Sequence, residues 1–232
     1  MSLFVIGDLH LSYGVPGKTM NIFNGWDNYQ NLIEKNWNEL IKNEDTVVLA
    51  GDTSWGMSLE QAGPDFDFIN KLPGTKIVLK GNHDYWWSTK KKMEDFMKSE
   101  GFETIKILHN NHYAYKNYGI CGTRGWVNVP GESGAQDTKV LLREVQRLET
   151  SIKSAMSENL DPLVFMHYPP IFGSNFNYDI LDILYRYKIR ECYYGHIHGR
   201  SGHSLCVKGL YDDINFHLIS GDYLQFIPHK IV

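Results

Sequence analysis

Three times in its first 84 residues the chain runs through a short apolar segment, reaches a glycine and then presents a polar side chain able to bind metal. These stretches are Val5-Ile6-Gly7-Asp8-Leu9-His10, Leu49-Ala50-Gly51-Asp52 and Leu79-Lys80-Gly81-Asn82-His83-Asp84. Two later stretches share the design: Phe165-Met166-His167-Tyr168-Pro169, where the imidazole follows the apolar run directly, and Tyr193-Tyr194-Gly195-His196-Ile197-His198. An apolar run of this length reads as a buried strand, and a glycine at its end lets the backbone turn tightly or approach another group. Each strand is therefore expected to carry its polar residues to one edge of a sheet.

The intervening segments support that expectation. Residues 3–7, 46–50 and 76–80 read as strands; 28–42, with Leu32, Ile33, Trp37, Leu40 and Ile41 at helical spacing, and 58–71 read as helices. Asp8 and Asp52 are 44 residues apart and Asp52 and Asn82 are 30 apart, separations that suit one βαβ crossover each. Parallel pairing with right-handed crossovers follows, with the polar groups at the carboxyl ends of the strands. A helix over 89–100 is followed by short strands at 104–108, 112–117 and 119–122, with no obvious helix between them, so the later sheet should be partly antiparallel. After a loop over 123–137 the longest helix covers about 138–157. Strand 163–166 leads into His167, and helix 178–187 with strand 191–194 leads into His196. The tail, 215–219 and 223–227 around Ser220-Gly221-Asp222-Tyr223, reads as a hairpin.

Seven side chains thus have reason to converge: Asp8, His10, Asp52, Asn82, His167, His196 and His198. A pair of cations about 3.5–4 Å apart needs ligands from several segments, because one segment cannot surround both ions. The set contains oxygen and imidazole donors and no thiolate, which suits manganese, iron or zinc. Asp8 and His10, two apart on a continuing strand, would point to one side. Asp52, with two oxygens, is the natural bridge. An alternative phosphate motif, Ser12 to Thr19, fails as a P-loop: Ser12 stands where a glycine is needed, Pro16 removes an N–H, and Asn24-Gly25 cuts short the helix that should follow.

At Asp8-x-His10, Gly51-Asp52, Gly81-Asn82-His83-Asp84, His167 and Gly195-His196-x-His198, in that order, the sequence resembles the calcineurin-like metallophosphoesterase superfamily. The resemblance spans residues 7 to 199. It implies a four-layer α/β/β/α sandwich with two mixed sheets; the residues alone point only to an α/β class with late antiparallel strands. It assigns Asp8, His10, Asp52 and His198 to one ion and Asp52, Asn82, His167 and His196 to the other. It implies in-line attack on phosphorus by a metal-bridging hydroxide, with His83 protonating the leaving oxygen, a task open to an imidazole of ordinary pKa near neutral pH. Asp84 is expected to support the loop. The sequence departs from the pattern at Trp55: many relatives carry there an Asp that orients the general-acid His, and purple acid phosphatases carry an iron-ligating Tyr. Tyrosinate–iron colour is accordingly not expected, and the group that orients His83 stays open.

Arg124, in Gly122-Thr123-Arg124-Gly125-Trp126, is a candidate phosphate clamp beside Asn82 and His83, with a surface salt bridge as the alternative. Arg200 invites the same two readings. Trp86, Trp87 and Tyr168 adjoin the motifs and could stack a base or simply pack. His109, His112, His203, His217 and His229 match no motif and are expected to be structural or exposed. A hydrophobic content of 42% over 232 residues suffices for one large domain spanning 1–232. The net charge is −4, and Lys90-Lys91-Lys92 reads as a solvated helix face, so a long nucleic acid is not the expected partner. Three cysteines cannot all pair and no Cys-x-x-Cys occurs, pointing to core thiols in a reducing compartment. No stretch approaches the ~18 apolar residues of a membrane span, and a cytoplasmic protein is expected. The function these features favour is hydrolysis of a small phosphomono- or phosphodiester, a nucleotide among the candidates. A non-catalytic interaction module on the same fold, or a nuclease or nucleotide-specific phosphodiesterase, is the alternative. Specificity is expected from loops 11–27, 123–137 and 200–213.

Overall fold

The computed structural model describes residues 1–126 and 135–232. The loop expected over 123–137 therefore falls largely outside the described residues. The elements follow as β1 (Leu3–Ile6), α1 (Tyr29–Leu40), β2 (Thr46–Ala50), α2 (Leu59–Lys71), β3 (Thr75–Leu79), α3 (Lys90–Ser99), β4 (Ile105–Ile107), β5 (Tyr113–Tyr115), β6 (Tyr118–Thr123) and α4 (Ala135–Met156). The second half adds β7 (Asp161–Met166), β8 (Ile171–Phe172), β9 (Asn175–Phe176), α5 (Tyr178–Arg186), β10 (Glu191–Tyr194), α6 (Gly199–Leu205), β11 (Gly209–Tyr211), β12 (Ile214–Leu218) and β13 (His229–Lys230).

Two large sheets result. The first has the order β13-β1-β2-β3-β4, with β1 to β4 parallel and β13 antiparallel at the edge. The second has the order β11-β12-β10-β7-β6-β5, with a parallel centre and antiparallel strands at both edges. Alternation along the strands explains how they stack. In the first sheet Phe4, Ile6, Val47, Leu49 and Val78 pack under α1, α2 and α3. Their neighbours Leu3, Val5, Val48, Ala50, Ile77 and Leu79 face the other way, against Ile120, Leu163, Phe165 and Tyr193 of the second sheet. The opposite face of that second sheet, with Cys121, Val164, Met166, Cys192 and Tyr194, is covered by α4 and α5. Period-two burial on both faces of both sheets gives the expected α/β/β/α layering.

Helix α1 buries Tyr29, Ile33 and Trp37, spaced by four and continued by the buried Ile41 at its end, while Leu32 and Leu40 are exposed, so the apolar stripe is narrower than the expected one. Helices α2 and α3 begin at side-chain caps, Ser58 accepting from the Gln61 N–H and Thr89 from the Lys92 N–H. On α3, Lys90 pairs with Glu94 and Lys91 with Asp95 one turn on, a solvated face as expected. All three cysteines are free and buried. Among the described residues no helix is long and apolar enough to cross a membrane.

The tail corrects the sequence reading. Ile214–Leu218 is a strand, but it lies parallel to β10 and forms its hairpin with the preceding β11; residues 223–227 make hydrogen-bonded turns instead of a second strand. Segment 200–213, expected as a loop, holds most of α6 and all of β11.

Candidate metal centre

The five motifs emerge where β1, β2, β3, β7 and β10 end, on the rim where the two sheets meet. Backbone bonds stitch these ends together. Gly7 N–H donates to Ile219 O at 2.8 Å, Asp8 N–H to Gly51 O at 2.9 Å, His10 N–H to Asp52 O at 2.9 Å and Gly195 N–H to His167 O at 3.1 Å. The expectation that β1 continues through Asp8 and His10 is corrected. Strand geometry stops at Ile6, and Asp8, His10, Asp52 and His196 all take left-handed φ values, 58°, 45°, 51° and 74°. That conformation costs a side-chain-bearing residue on the order of 1 kcal/mol, and it turns each side chain inward at the strand end. Two glycines permit the resulting proximity. A Cβ on Gly81 would overlap the backbone N and Oδ1 of Asp52, and one on Gly195 would overlap Asp8 Oδ2.

The side chains gather in two clusters, Asp8 with His10 and His198, and Asp52 with His167 and His196. Within each, the donor atoms lie within 4.8 Å of one another. Asp52 Oδ2 is 3.4 Å from His167 Nε2 and 3.7 Å from His10 Nε2, so one oxygen faces both clusters. Asn82 Oδ1 sits 2.6 Å from His167 Nε2, completing the seven expected groups.

The chemistry of this donor set fits divalent cations. His198 Nδ1 lies 2.9 Å from the Asp222 carboxylate, an acceptor, so it carries the hydrogen and the Nε2 lone pair faces His10 Nε2 at 3.3 Å. Burial pushes the Asp8 carboxyl up to about 8 and that of Asp52 to about 6. Burial also drives the His167 imidazole down to about 3 and holds His10 and His196 below the usual range. His198 differs, its burial outweighed by the Asp222 hydrogen bond and the nearby carboxylates, which raise it; carboxyl groups short of positive charge beside three imidazoles kept neutral are a protonation pattern that metal binding satisfies. Asp8, His10, Asp52, Asn82, His167, His196 and His198 are therefore placed to hold such ions.

His83 stands beside the clusters. Its backbone N–H donates to Asp52 Oδ1 at 2.7 Å, while its ring packs against Trp55 with centroids 4.5 Å apart. The same indole stacks on His10 at 4.9 Å and 24°. Trp55 thus packs on two imidazoles, at the position where the resemblance would have placed a carboxylate. Tyr85 Oη, 3.4 Å from His83 Nδ1, is a second neighbour. Asp84 is buried and accepts the N–H groups of Gly81, Asp52, Thr53 and Ser54 and the Trp86 indole N–H, which makes it the brace between the β2 and β3 loops, as expected.

Arg124 reaches the neighbourhood, its carbonyl accepting from Tyr168 N–H, but its guanidinium is engaged by the buried Glu144 at 3.3 Å and lies over Trp126. Arg200 is exposed and lines a cavity with Asn24 and Gln225 on the outer side of Asp222. Trp86 is buried against Phe66, Trp87 packs on Trp86 and His109, and Tyr168 lies 4.2 Å from His196, so all three serve packing. His112 bonds Ser154 and His217 faces Glu191 at 2.6 Å, both structural as expected. Asp222 and His203, which faces it at 3.3 Å, were not expected at the site. The available signal was Ser220-Gly221-Asp222 following β12 as Gly51-Asp52 follows β2.

With two adjoining clusters of this composition at the strand ends, the comparison with known families becomes informative. The profile of the calcineurin-like phosphoesterase family matches residues 1–200. The chain belongs to that family. Calcineurin-like phosphoesterases are metal-dependent, and the family resemblance read from the motifs agrees with the match. No curated protein matches the chain in sequence. In fold it is similar to a phosphopantetheinyl hydrolase from Mycobacterium tuberculosis (12% identity, TM-score 0.57, covering 100% of this chain and 95% of that one). It is also similar to a protein of unknown function, AQ665, from Aquifex aeolicus (18% identity, TM-score 0.50, 99% and 95% covered). A third likeness is to the protein TT1561 of Thermus thermophilus (8% identity, TM-score 0.52, 84% and 81% covered). At these identities the likeness concerns the fold of a calcineurin-like phosphoesterase and not its substrate.

Proposed function

We propose that the chain is a phosphohydrolase with a binuclear metal centre, cleaving small phosphomono- or phosphodiesters, with His83 as proton donor to the leaving oxygen. The observation that carries the proposal is Asp52 Oδ2, which faces His10 and His167 at once and so belongs to both clusters. Ions bound there would lower the pKa of water and neutralise phosphoryl oxygens. The remaining work falls to the chain. Asp52 Oδ1 accepts the His83 N–H and keeps that residue at the rim of the centre. Trp55 limits the swing of the ring, so the imidazole can hold a proton where the departing alkoxide needs it.

Manganese, iron and zinc suit the donors. The net charge of −4 favours small esters, nucleotides included, over long polyanions, and phosphopantetheine esters join the panel through the fold likeness. Free, buried cysteines support a cytoplasmic setting. Arg124 would reach phosphate only by leaving Glu144. A non-catalytic module would have no use for seven convergent donors. The test is turnover of p-nitrophenyl phosphate and bis-p-nitrophenyl phosphate, with metal analysis, for wild type, Asp52→Asn and His83→Ala. Both variants should lose most turnover with the fold intact, and wild-type rates in either would overturn the proposal.

A further inference from the structure

We infer that Asp222 is a positioning residue for the Asp8, His10 and His198 cluster, fixing the tautomer in which His198 can ligate an ion through Nε2. This rests on the binuclear reading and deepens it. A neutral imidazole carries one N–H, and only the nitrogen without it can donate a lone pair to a cation. Asp222 Oδ1, 2.9 Å from His198 Nδ1, takes that hydrogen and leaves Nε2 toward Asp8 and His10.

The carboxylate is itself held. Its Oδ2 accepts the Gly199 N–H at 2.9 Å and faces His203 Nε2 at 3.3 Å, and its side chain is only 9% exposed. The turn that carries it is closed by Leu224 N–H to Ser220 O and Phe226 N–H to Gly221 O, and Gly221 packs against the carbonyls of Gly7 and Asp8. Two other imidazoles are held less closely: His167 Nδ1 lies 3.3 Å from the Ala50 carbonyl and 3.7 Å from Asp8 Oδ1, and His10 Nδ1 is buried with no hydrogen-bond partner among the described residues. A charged acceptor behind one ring makes its Nε2 the more basic donor and locks its direction. β12, which contributes none of the seven donors, would thus act on the centre through Asp222.

The experiment titrates metal-free wild type, Asp222→Asn, Asp222→Ala, Asn82→Ala and the Asp222→Ala/Asn82→Ala double variant with Zn²⁺ against a chromophoric chelator, resolving two binding constants. Asp222→Ala should weaken one constant by about 10–100-fold and leave the other within about twofold. Asp222→Asn, which keeps an acceptor oxygen but not the charge, should fall between it and wild type. Asn82→Ala should weaken the other constant, and the double variant both. A long-range ¹H–¹⁵N spectrum of the zinc-loaded wild type should place the His198 proton on Nδ1. Two unchanged constants in Asp222→Asn and Asp222→Ala, or a His198 proton on Nε2, would overturn the inference while leaving the proposed function standing. A wild type that takes up fewer than two zinc ions would overturn the binuclear reading itself. Asp222→Asn preserves shape and one of the two acceptor oxygens, so it decides the matter if the alanine variant unfolds.

Discussion

The carboxylate of Asp84 takes the backbone N–H of Asp52 at 2.9 Å, joining the loop after β3 to the loop after β2. Four further donors converge on the same two oxygens. An asparagine offers one acceptor oxygen in place of two and turns its own N–H groups toward these donors. Asp84→Asn should therefore destabilise the protein by about 2–3 kcal/mol, the cost of leaving buried donors unpaired. Urea unfolding measures this, and a loss below about 0.5 kcal/mol, the range of an ordinary surface change, would remove Asp84 from its bracing role.

Gly81 and Gly195 contribute no ligand and carry a prediction of their own. Adding one methyl group at Gly81 pushes on Asp52, and at Gly195 on Asp8. Gly81→Ala and Gly195→Ala should each lower metal content after gel filtration although all seven donor residues are intact. Stoichiometric metal in either protein would contradict the close packing described.

The dependence of stability on pH has a definite sign above about pH 6.5 in the metal-free protein. Below that point two effects of burial oppose each other: His10, His167 and His196 stay neutral in the fold while the unfolded chain protonates them, and Asp8, Asp52, Asp65 and Asp84 keep protons that the unfolded chain has released. Above that point the Asp8 carboxyl, held near 8 by burial, keeps a proton that the unfolded chain has already released, and stability falls from about 6.5 to 8. Metal displaces that proton, so the loaded protein should lose the decline. Thermal melts in chelator and in Mn²⁺ check this; a metal-free Tm that climbs steadily from pH 6.5 to 8 would refute it.

Trp55 separates positioning from ligation. Trp55→Ala removes the surface shared by His10 and His83, and kcat on bis-p-nitrophenyl phosphate should fall by about 10- to 100-fold, the scale of a small misplacement of a catalytic group. Bound metal should change little, and Trp55→Phe, which keeps a ring, should recover most of the rate. Wild-type kcat in Trp55→Ala would mean that His83 is oriented by something else, with Tyr85 the next residue to replace.

The strand-end motifs were legible because their signal is local: an apolar run, a glycine and a polar group recur where β1, β2, β3 and β10 reach the rim, and an apolar run with an imidazole where β7 does. Strands β2 and β10 were placed residue for residue, and β3 nearly so. What the sequence hid was long-range or conformational. The true hairpin turns on Asp212-Asp213, both with positive φ, a pair less recognisable than Asn-Gly, and so the tail was paired with the segment after it instead of before it. The parallel pairing of β12 with β10 depends on the whole sheet, and with it the arrival of Asp222 behind His198. The left-handed backbone at Asp8 and His10 was equally invisible, since neither residue type demands it.

Asp8, His10, Asp52 and Asn82 hang from one sheet, His167, His196 and His198 from the other. Elsewhere the sheets face each other across an apolar seam, which grips without choosing a single alignment. An ion seized between them would act as a rivet as well as a reagent, since arming the chemistry and locking the halves in step become one event. A fragment bearing either half alone would be chemically inert as well as slack.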